Sequence, residues 1–229
     1  MEALINSFFR AIRSLFAPGM FGLFVLSIGV TIAALMGFVG VTTAIFTWLA
    51  AHVQGHAIAS FLPWLGGIGA GLIAWLLFPG IMPVIVNFFA GRIASIIEQR
   101  DYPAASTYAP AFWPELLHDL RFSAMTILLN ILVLPLYLLP VINFLLFYVL
   151  NGYLLGREFF VMAARRHRPI HDAETLRQRH AKTVMMAGVA LTILATIPFA
   201  NLFAPFWGIA VMVHLYHRLA ITPELLPPA

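Results

Sequence analysis

LPVINFLLF at residues 139–147 and IPFANLFAPF at residues 197–206 each contain a proline that is followed three residues later by an asparagine. These residues are Pro140 with Asn143 and Pro198 with Asn201. Each stretch lies in the middle of a long run without Asp, Glu, Lys or Arg. Because proline breaks the interior of a helix, each run is predicted to form two helices joined by a turn at the proline. Such membrane hairpins are expected over residues 122–156 and 183–217.

The composition excludes a water-soluble protein. The chain has 229 residues, of which 62% are hydrophobic and 10% charged, whereas a soluble domain carries about 25% charged residues. We therefore expect an all-α integral membrane protein, in which residues 1–229 form one domain in contact with the lipid bilayer. The 13 Lys and Arg exceed the 9 Asp and Glu. This excess is interpreted as a determinant of membrane topology, and no nucleic-acid partner is expected.

Two long helices are predicted to precede the hairpins. No charged residue occurs between Arg13 and Arg92, and this interval accommodates two crossings of about 20 residues each. Transmembrane helices are expected over residues 18–51 and 63–90. Before them, residues 1–16 place apolar side chains on one helical face and arginines on the other. This pattern predicts a short amphipathic helix in the headgroup plane and argues against a cleaved signal peptide.

The distribution of positive charge predicts the orientation of the chain in the membrane. The most basic segment, residues 157–182, carries seven arginines and lysines, and arginines also precede the first long helix. Basic segments next to membrane helices remain in the cytoplasm. Both termini and the polar segments 91–121 and 157–182 are therefore expected on the cytoplasmic side. It follows that each hairpin begins and ends on that side.

The hairpin legs are short. At 1.5 Å per residue they measure about 22–28 Å, slightly less than the ~30 Å of the hydrocarbon core. Hairpins that penetrate only part of the bilayer are therefore favoured, with full spanning as the alternative, so that the chain has four to six membrane segments. At each tip the proline removes one backbone donor. Asn143 and Asn201 are expected to cap the returning helices rather than to contact a substrate.

Arg157 and Glu158 are candidate pathway residues because they lie at the end of an uncharged run. Adjacent helical residues do not face each other, so each is expected to pair elsewhere. Arg157 is interpreted either as a structural ion pair at the cytoplasmic interface or as part of an anion pathway. No catalytic, metal or cofactor site is predicted, since the chain has no cysteine and His52 and His56 lack an evident third ligand. The chain is therefore not expected to be an enzyme.

Two stretches carry a resemblance to a known family: NGYLLGREFFVMAARRH at residues 151–167 and TLRQRHAKTVMMAGVALTILATIPFANLFAPFWGIAVMVHLYH at residues 175–217. They are similar to the C-terminal half of CysZ-type sulfate permeases, a family that includes the etoposide-induced membrane proteins. The resemblance implies a multi-pass protein of the bacterial inner membrane with two long transmembrane helices and two hemi-penetrating hairpins. It also implies homo-oligomers through which sulfate passes.

Members of this family often carry Pro-Gly-x-Arg-Arg near the start of the first long helix, an arginine pair associated with sulfate binding. The matching stretch is APGMFGLFVL at residues 17–26, where Pro18 and Gly19 are present but Phe21 and Gly22 replace the arginines. A backbone nest at Pro18 and Gly19 remains a predicted anion contact. The resemblance implies a permease or channel for sulfate or another small anion. A non-transporting membrane scaffold or assembly factor on the same fold is the alternative.

Overall fold

The computed structural model of the chain describes residues 2–52, 56–105, 107–108, 112–138 and 140–220. Helices account for 90% of the structure, and no strand occurs in these ranges, which confirms the predicted all-α class. The helices are α1 (Glu2–Leu15), α2 (Met20–His52), α3 (His56–Trp64), a π-helical segment (Leu65–Gly69), α4 (Ala70–Phe88), α5 (Ala90–Asp101), α6 (Phe112–Val133), a 3-10 segment (Leu134–Leu138), α7 (Pro140–Ala164), α8 (Ile170–Arg179), α9 (Ala181–Ala195) and α10 (Pro198–Ala220).

The helices are divided between two compact units. Unit 1 contains residues 1–20 and 90–229, and unit 2 contains residues 21–89. In unit 2, α2 has 33 residues, which corresponds to about 50 Å of helix. The π-helical segment packs closely against α2 at Gly66, where an added Cβ would lie 2.6 Å from Cβ of Phe46. Only a glycine allows this approach of the two backbones.

Four helical stretches in the described part of the chain are long and apolar enough to cross a membrane: Met20–His52, Ser60–Phe78, Leu116–Leu136 and Asn143–Ala164. The first two overlap the predicted transmembrane helices, and the other two are the legs of the first hairpin. Those legs have 21 and 22 residues, or about 32 Å at 1.5 Å per residue. Their length therefore suffices for a complete crossing, and penetration to half depth stays a prediction.

The two predicted hairpins are present as pairs of helices in unit 1. In the first pair, Val133 of α6 packs with Leu150 and Leu154 of α7. In the second pair, α9 and α10 are in contact and are joined by a short connection that ends before Pro198. Leu139, at the first turn, lies outside the described residues.

Asn143 and Asn201 are not the helix caps that the sequence predicted. The returning helices begin at Pro140 and Pro198, so both asparagines lie inside the first turn. The backbone N–H of Asn201 donates to the carbonyl of Ile197 at 2.8 Å. The prediction was wrong because proline, with its fixed φ, occupies the first helical position. A cap must precede that position rather than follow it.

The amphipathic α1 is confirmed, and the structure shows how it is held. Its buried residues form one stripe that packs on α10: Leu4, Ser7, Ala11 and Ser14. Phe8 at the edge of the stripe makes an edge-to-face contact with Trp207, with ring centroids 6.0 Å apart. Ile5, Phe9 and Phe16 are exposed. The face that holds α1 on the protein is thus made mainly of small residues, and larger apolar side chains remain exposed on the other face.

The centre of unit 1 is α10, which contacts α1, α5, α7 and α9. Ile209, Met212 and Leu215 are completely buried, as expected of a helix that other helices surround. Beside it, α7 and α9 cross through glycines. A Cβ added to Gly188 would collide with the carbonyl oxygen of Gly152 and would lie 2.7 Å from the backbone nitrogen of Gly156. This crossing brings the end of α7, with Arg157, next to α8 and α9.

Candidate functional site

Arg157, near the C-terminal end of α7, lies at the centre of a buried ionic cluster. Its Nε donates to Oε1 of Glu174 on α8 at 3.3 Å, and its Nη2 lies 3.3 Å from Nε2 of His118 on α6. Arg177 donates to the same Oε1 from its Nε at 3.0 Å and lies 2.8 Å from it through Nη2. We refer to Arg157, Glu174, Arg177 and His118 as the Arg157 cluster.

Aromatic rings enclose the Arg157 cluster. The guanidinium carbon of Arg157 lies 3.8 Å from the ring centroid of Phe122, and that of Arg177 lies 5.9 Å from the centroid of Tyr153. Both arginine side chains are only 10% exposed. Two guanidinium groups thus share the carboxylate of Glu174, which leaves an excess of one positive charge in a largely dehydrated place. Ring faces offset part of the cost of this charge, but a buried charge without a full partner remains unfavourable.

Glu158 does not belong to the Arg157 cluster, although it is adjacent in the chain. Its side chain is exposed, and Arg165 is the basic residue that interacts with it electrostatically. Arg165 also donates to both carboxylate oxygens of Asp119 at 3.1 Å. The two candidate pathway residues therefore point to different neighbours, as expected of adjacent positions on a helix.

Pro18 and Gly19 form the exposed turn that joins α1 to α2. Gly19 has a φ of +87°, in the left-handed region where a residue with a side chain is strained. A Cβ at this position would lie 3.5 Å from Cδ1 of Ile96 on α5. This turn thus adjoins α5, whereas Arg157 contacts α6 and α8. The Pro18–Gly19 turn and Arg157, the two parts of the predicted anion site, therefore contact different helices.

A second buried ionic cluster joins α5 to the turn after α7. Arg166 donates to Glu98 through Nε, at 3.0 Å from Oε1, and through Nη2, at 2.8 Å from Oε2. Nε2 of His167 donates to Oε1 of Glu98 at 2.9 Å. Burial raises the pKa of the Glu98 carboxyl, but the hydrogen bonds from His167 and Arg166 outweigh it and hold that pKa below its usual value.

A third polar group links α1, α5 and α10. Nε2 of His214 lies 2.9 Å from Oγ of Ser14, and its Nδ1 lies 2.9 Å from the hydroxyl of Tyr102. The carboxylate of Asp101 is on the side of Ser14, 3.8 Å from Nε2 of His214. In a serine–histidine–acid triad the acid instead holds the other ring nitrogen. Ser14 and His214 are also buried, so this arrangement is suited to tying three helices together.

The ionic contacts join partners that sequence reasoning did not find. Glu98 and Arg166, in the second cluster, are 68 positions apart. Asp119 and Arg165, which pair outside the two clusters, are 46 positions apart. The polar segments 91–121 and 157–182 contain complementary charges and were expected on the same side of the membrane. This complementarity predicts that the two segments are in contact, but it does not specify which residues pair.

A sequence model of the family described as "Sulfate transporter CysZ/Etoposide-induced protein 2.4" matches residues 7–205. The match covers most of the chain, including α2, the first helical hairpin, and the second hairpin as far as the start of α10. The chain belongs to this family. No curated protein and no solved structure was found to match it. The protein is therefore a membrane protein of the CysZ/etoposide-induced family, as the resemblance in its C-terminal half implied.

The CysZ-type arginine pair is absent from its usual place in this chain. Phe21, at the first of the two positions, is 73% exposed at the start of α2. A Cβ at Gly22, the second position, would meet no heavy atom within 4 Å. Space for two arginine side chains thus exists, and the replacement by phenylalanine and glycine has no steric cause in the described residues.

Proposed function

We propose that this protein is an inner-membrane permease or channel for sulfate or a similar small anion, and that it supports sulfate uptake. Membership of the CysZ family supports the substrate class. The observation that carries the proposal within this chain is the Arg157 cluster, where two buried guanidinium groups share one carboxylate. An anion that enters this place compensates the remaining positive charge.

The chemistry of the cluster suits an oxyanion. Guanidinium groups present several N–H donors in a plane, which matches the spacing of oxygens on carboxylate, phosphate and sulfate. Hydrogen bonds between ionised partners are about twice as strong as those between neutral ones. Glu174 would also limit the affinity for the anion, because both arginines already donate hydrogen bonds to its carboxylate. A transport site must bind its ion weakly enough to release it.

A passive pathway is favoured over proton-coupled transport. The uncharged runs of the sequence contain no Asp or Glu that could carry a proton across the apolar region. The turn at Pro18 and Gly19 is proposed as a second, weaker anion contact, since the backbone N–H groups at the start of α2 carry partial positive charge. No enzymatic activity and no nucleic-acid binding are proposed.

The proposed topology places both termini and the ionic clusters on the cytoplasmic side of a bacterial inner membrane. The concentration of basic residues in the segment 157–182 supports this orientation. We further propose a homo-oligomer, because the wide apolar surface of α6 remains exposed. Its exposed residues include Leu120, Leu128 and Leu132. Lipid and neighbouring copies would share this surface.

A non-transporting scaffold or assembly factor on the same fold is the second candidate function. The replacement of the arginine pair by Phe21 and Gly22 favours it, because these two residues offer an anion no charge. A scaffold would co-purify with a specific partner protein and would show no anion binding.

Uptake of radiolabelled sulfate into proteoliposomes tests the proposal. The purified oligomer is expected to raise sulfate entry above that of empty liposomes, and excess unlabelled sulfate is expected to compete. The same vesicles with labelled glucose control for leakage. Sulfate entry equal to that of empty liposomes, from protein that elutes as a single species, would reject the permease and leave the scaffold.

A further inference from the structure

Three residues distant in the sequence meet near α10 within unit 1. Glu98 lies on α5, His167 in the turn after α7 and His217 near the end of α10. Each residue offers one potential ligand atom, a carboxylate oxygen of Glu98 or a ring nitrogen of each histidine. These three atoms lie within 4.8 Å of one another. The side chains of Glu98 and His167 and the residue His217 are each less than a tenth exposed.

We propose that Glu98, His167 and His217 form a binding site for a divalent transition metal, with Zn²⁺ as the cation that fits best. Two imidazole nitrogens and one carboxylate oxygen are a ligand set that Zn²⁺ prefers. Three protein ligands leave the fourth tetrahedral position for water or a small anion. The site is separate from the Arg157 cluster, and the inference does not rest on sulfate transport.

The spacing of the ligand atoms is compatible with a metal. Ligands at 2.0–2.2 Å from a tetrahedral Zn²⁺ lie about 3.4 Å from one another. Nε2 of His167 and Oε1 of Glu98, at 2.9 Å, are already close to this separation. Since the three ligand atoms lie within 4.8 Å of one another, the ring of His217 needs to approach by at most about 1.4 Å, which is within the reach of a side-chain rotation.

A buried nitrogen without a partner supports the proposal independently. Nε2 of His217 is inaccessible to solvent and has no hydrogen-bond partner among the described residues. A buried polar atom that lacks a partner is unfavourable, and nearly all such atoms in proteins are paired. Without a metal, the hydrogen bond between His167 and Glu98 satisfies those two residues and leaves His217 unexplained. A cation coordinated by all three accounts for every member of the group.

The surroundings hold the ligands in place. The ring of His217 stacks on Tyr102 with centroids 3.9 Å apart, and that of His167 stacks on Tyr216 at 5.1 Å. Arg166 binds Oε2 of Glu98 at 2.8 Å and thereby orients the carboxylate. Outer contacts of this kind are typical of metal sites, where they fix the ligand geometry. Arg166 also adds positive charge, so an anion such as hydroxide is the expected fourth ligand.

Titration of the full-length protein with metal tests the site. The purified protein in detergent is treated with a chelator, desalted and titrated with ZnCl₂ in a calorimeter. One Zn²⁺ per chain is expected to bind, and CoCl₂ is expected to give the visible absorption of a tetrahedral ion. His217→Gln is expected to weaken Zn²⁺ binding at least about 10–100-fold, the range reported even for outer contacts. His171→Gln, whose side chain is 91% exposed, is the matched control and is expected to bind like the wild type.

Two results would overturn the proposal. The first is wild-type protein that binds no Zn²⁺ and gives no tetrahedral Co²⁺ spectrum. The second is a His217→Gln protein that elutes like the wild type and binds Zn²⁺ equally well. If this variant fails to fold, the wild-type Co²⁺ spectrum decides, with His167→Gln as the second variant. Sulfate flux has no part in these measurements, so the permease proposal can fail without affecting the outcome.

Discussion

Arg157 and Glu174 lie 3.3 Å apart where α7 meets α8, although Glu158 is the acid next to Arg157 in the chain. Arg177 donates to the same carboxylate at 3.0 Å. Glu174 therefore keeps Arg177 as a partner when Arg157 is replaced, whereas both arginines lose their carboxylate partner when Glu174 is replaced. This asymmetry allows the proposed transport role of the Arg157 cluster to be tested separately from its structural role.

Arg157→Gln is expected to reduce sulfate flux about 10–100-fold, since a hydrogen bond to a charged group contributes about 1.5–3 kcal/mol. The melting temperature in detergent is expected to change little, because Glu174 still pairs with Arg177. Arg165→Gln is the control: its partner Asp119 is half-exposed, and exposed pairs contribute little. Flux in vesicles and thermal unfolding are measured on the same preparations. Unchanged flux in Arg157→Gln would leave Arg157 with a structural role only.

Glu174→Gln is expected to destabilise the protein by on the order of 3 kcal/mol, because it leaves two buried guanidinium groups without a counter-charge. Added sulfate is expected to raise the melting temperature of this variant more than that of the wild type, since the anion supplies the negative charge that the glutamine lacks. The matched control is Asp119→Asn, which removes an exposed carboxylate. Equal sulfate effects in Glu174→Gln and Asp119→Asn would contradict an anion site at Arg157.

Local features of the sequence predicted the helical elements well, and they predicted the contacts between distant elements poorly. The amphipathic α1 and the breaks before Pro140 and Pro198 depend on periodicity and on proline, both of which are visible in a short stretch. The pairing of Glu98 with Arg166, 68 positions away, depends on how α5 meets the end of α7. His217 likewise joins this group only because α10 packs against α5. Spacing rules for metal ligands find residues one helical turn apart and cannot find such a group.

The α7–α9 crossing illustrates the same limit. Gly188 lay in a run interpreted only as a hairpin leg, and nothing in that run indicates which helix it meets. Gly188→Ala is expected to cost about 1–3 kcal/mol or more, since its Cβ collides with the carbonyl of Gly152. Gly71→Ala is the control, because a Cβ there meets no heavy atom within 4 Å. The melting temperature and the elution profile measure the difference. Equal stability of both variants would mean that α7 and α9 do not cross at these glycines.

The double variant Phe21→Arg with Gly22→Arg restores the arginine pair of the family. Both positions have room for longer side chains, as the exposure of Phe21 and the open space at Gly22 indicate. The variant is expected to lower the sulfate concentration for half-maximal flux about tenfold, by added charge-assisted hydrogen bonds. Glutamine at both positions controls for size and polarity. If neither variant nor wild type carries sulfate, the scaffold function is favoured.

The depth of the hairpins can be measured by labelling, because the chain has no native cysteine. Cysteines placed at Asn143 and Asn201 are expected to resist a membrane-impermeant maleimide added from the periplasmic side, since the proposed tips end within the bilayer. Cysteine at the exposed His52 is the positive control for that side, and cysteine at His171, whose side chain is 91% exposed, is the control for the cytoplasmic side. Labelling after denaturation shows that each thiol is intact.

The legs of the first hairpin are long enough to cross the bilayer, so the two tips can differ in depth. Rapid periplasmic labelling at Asn143 alone would assign a full crossing to the first hairpin, and labelling at both tips would replace the hemi-penetrating topology by six complete spans.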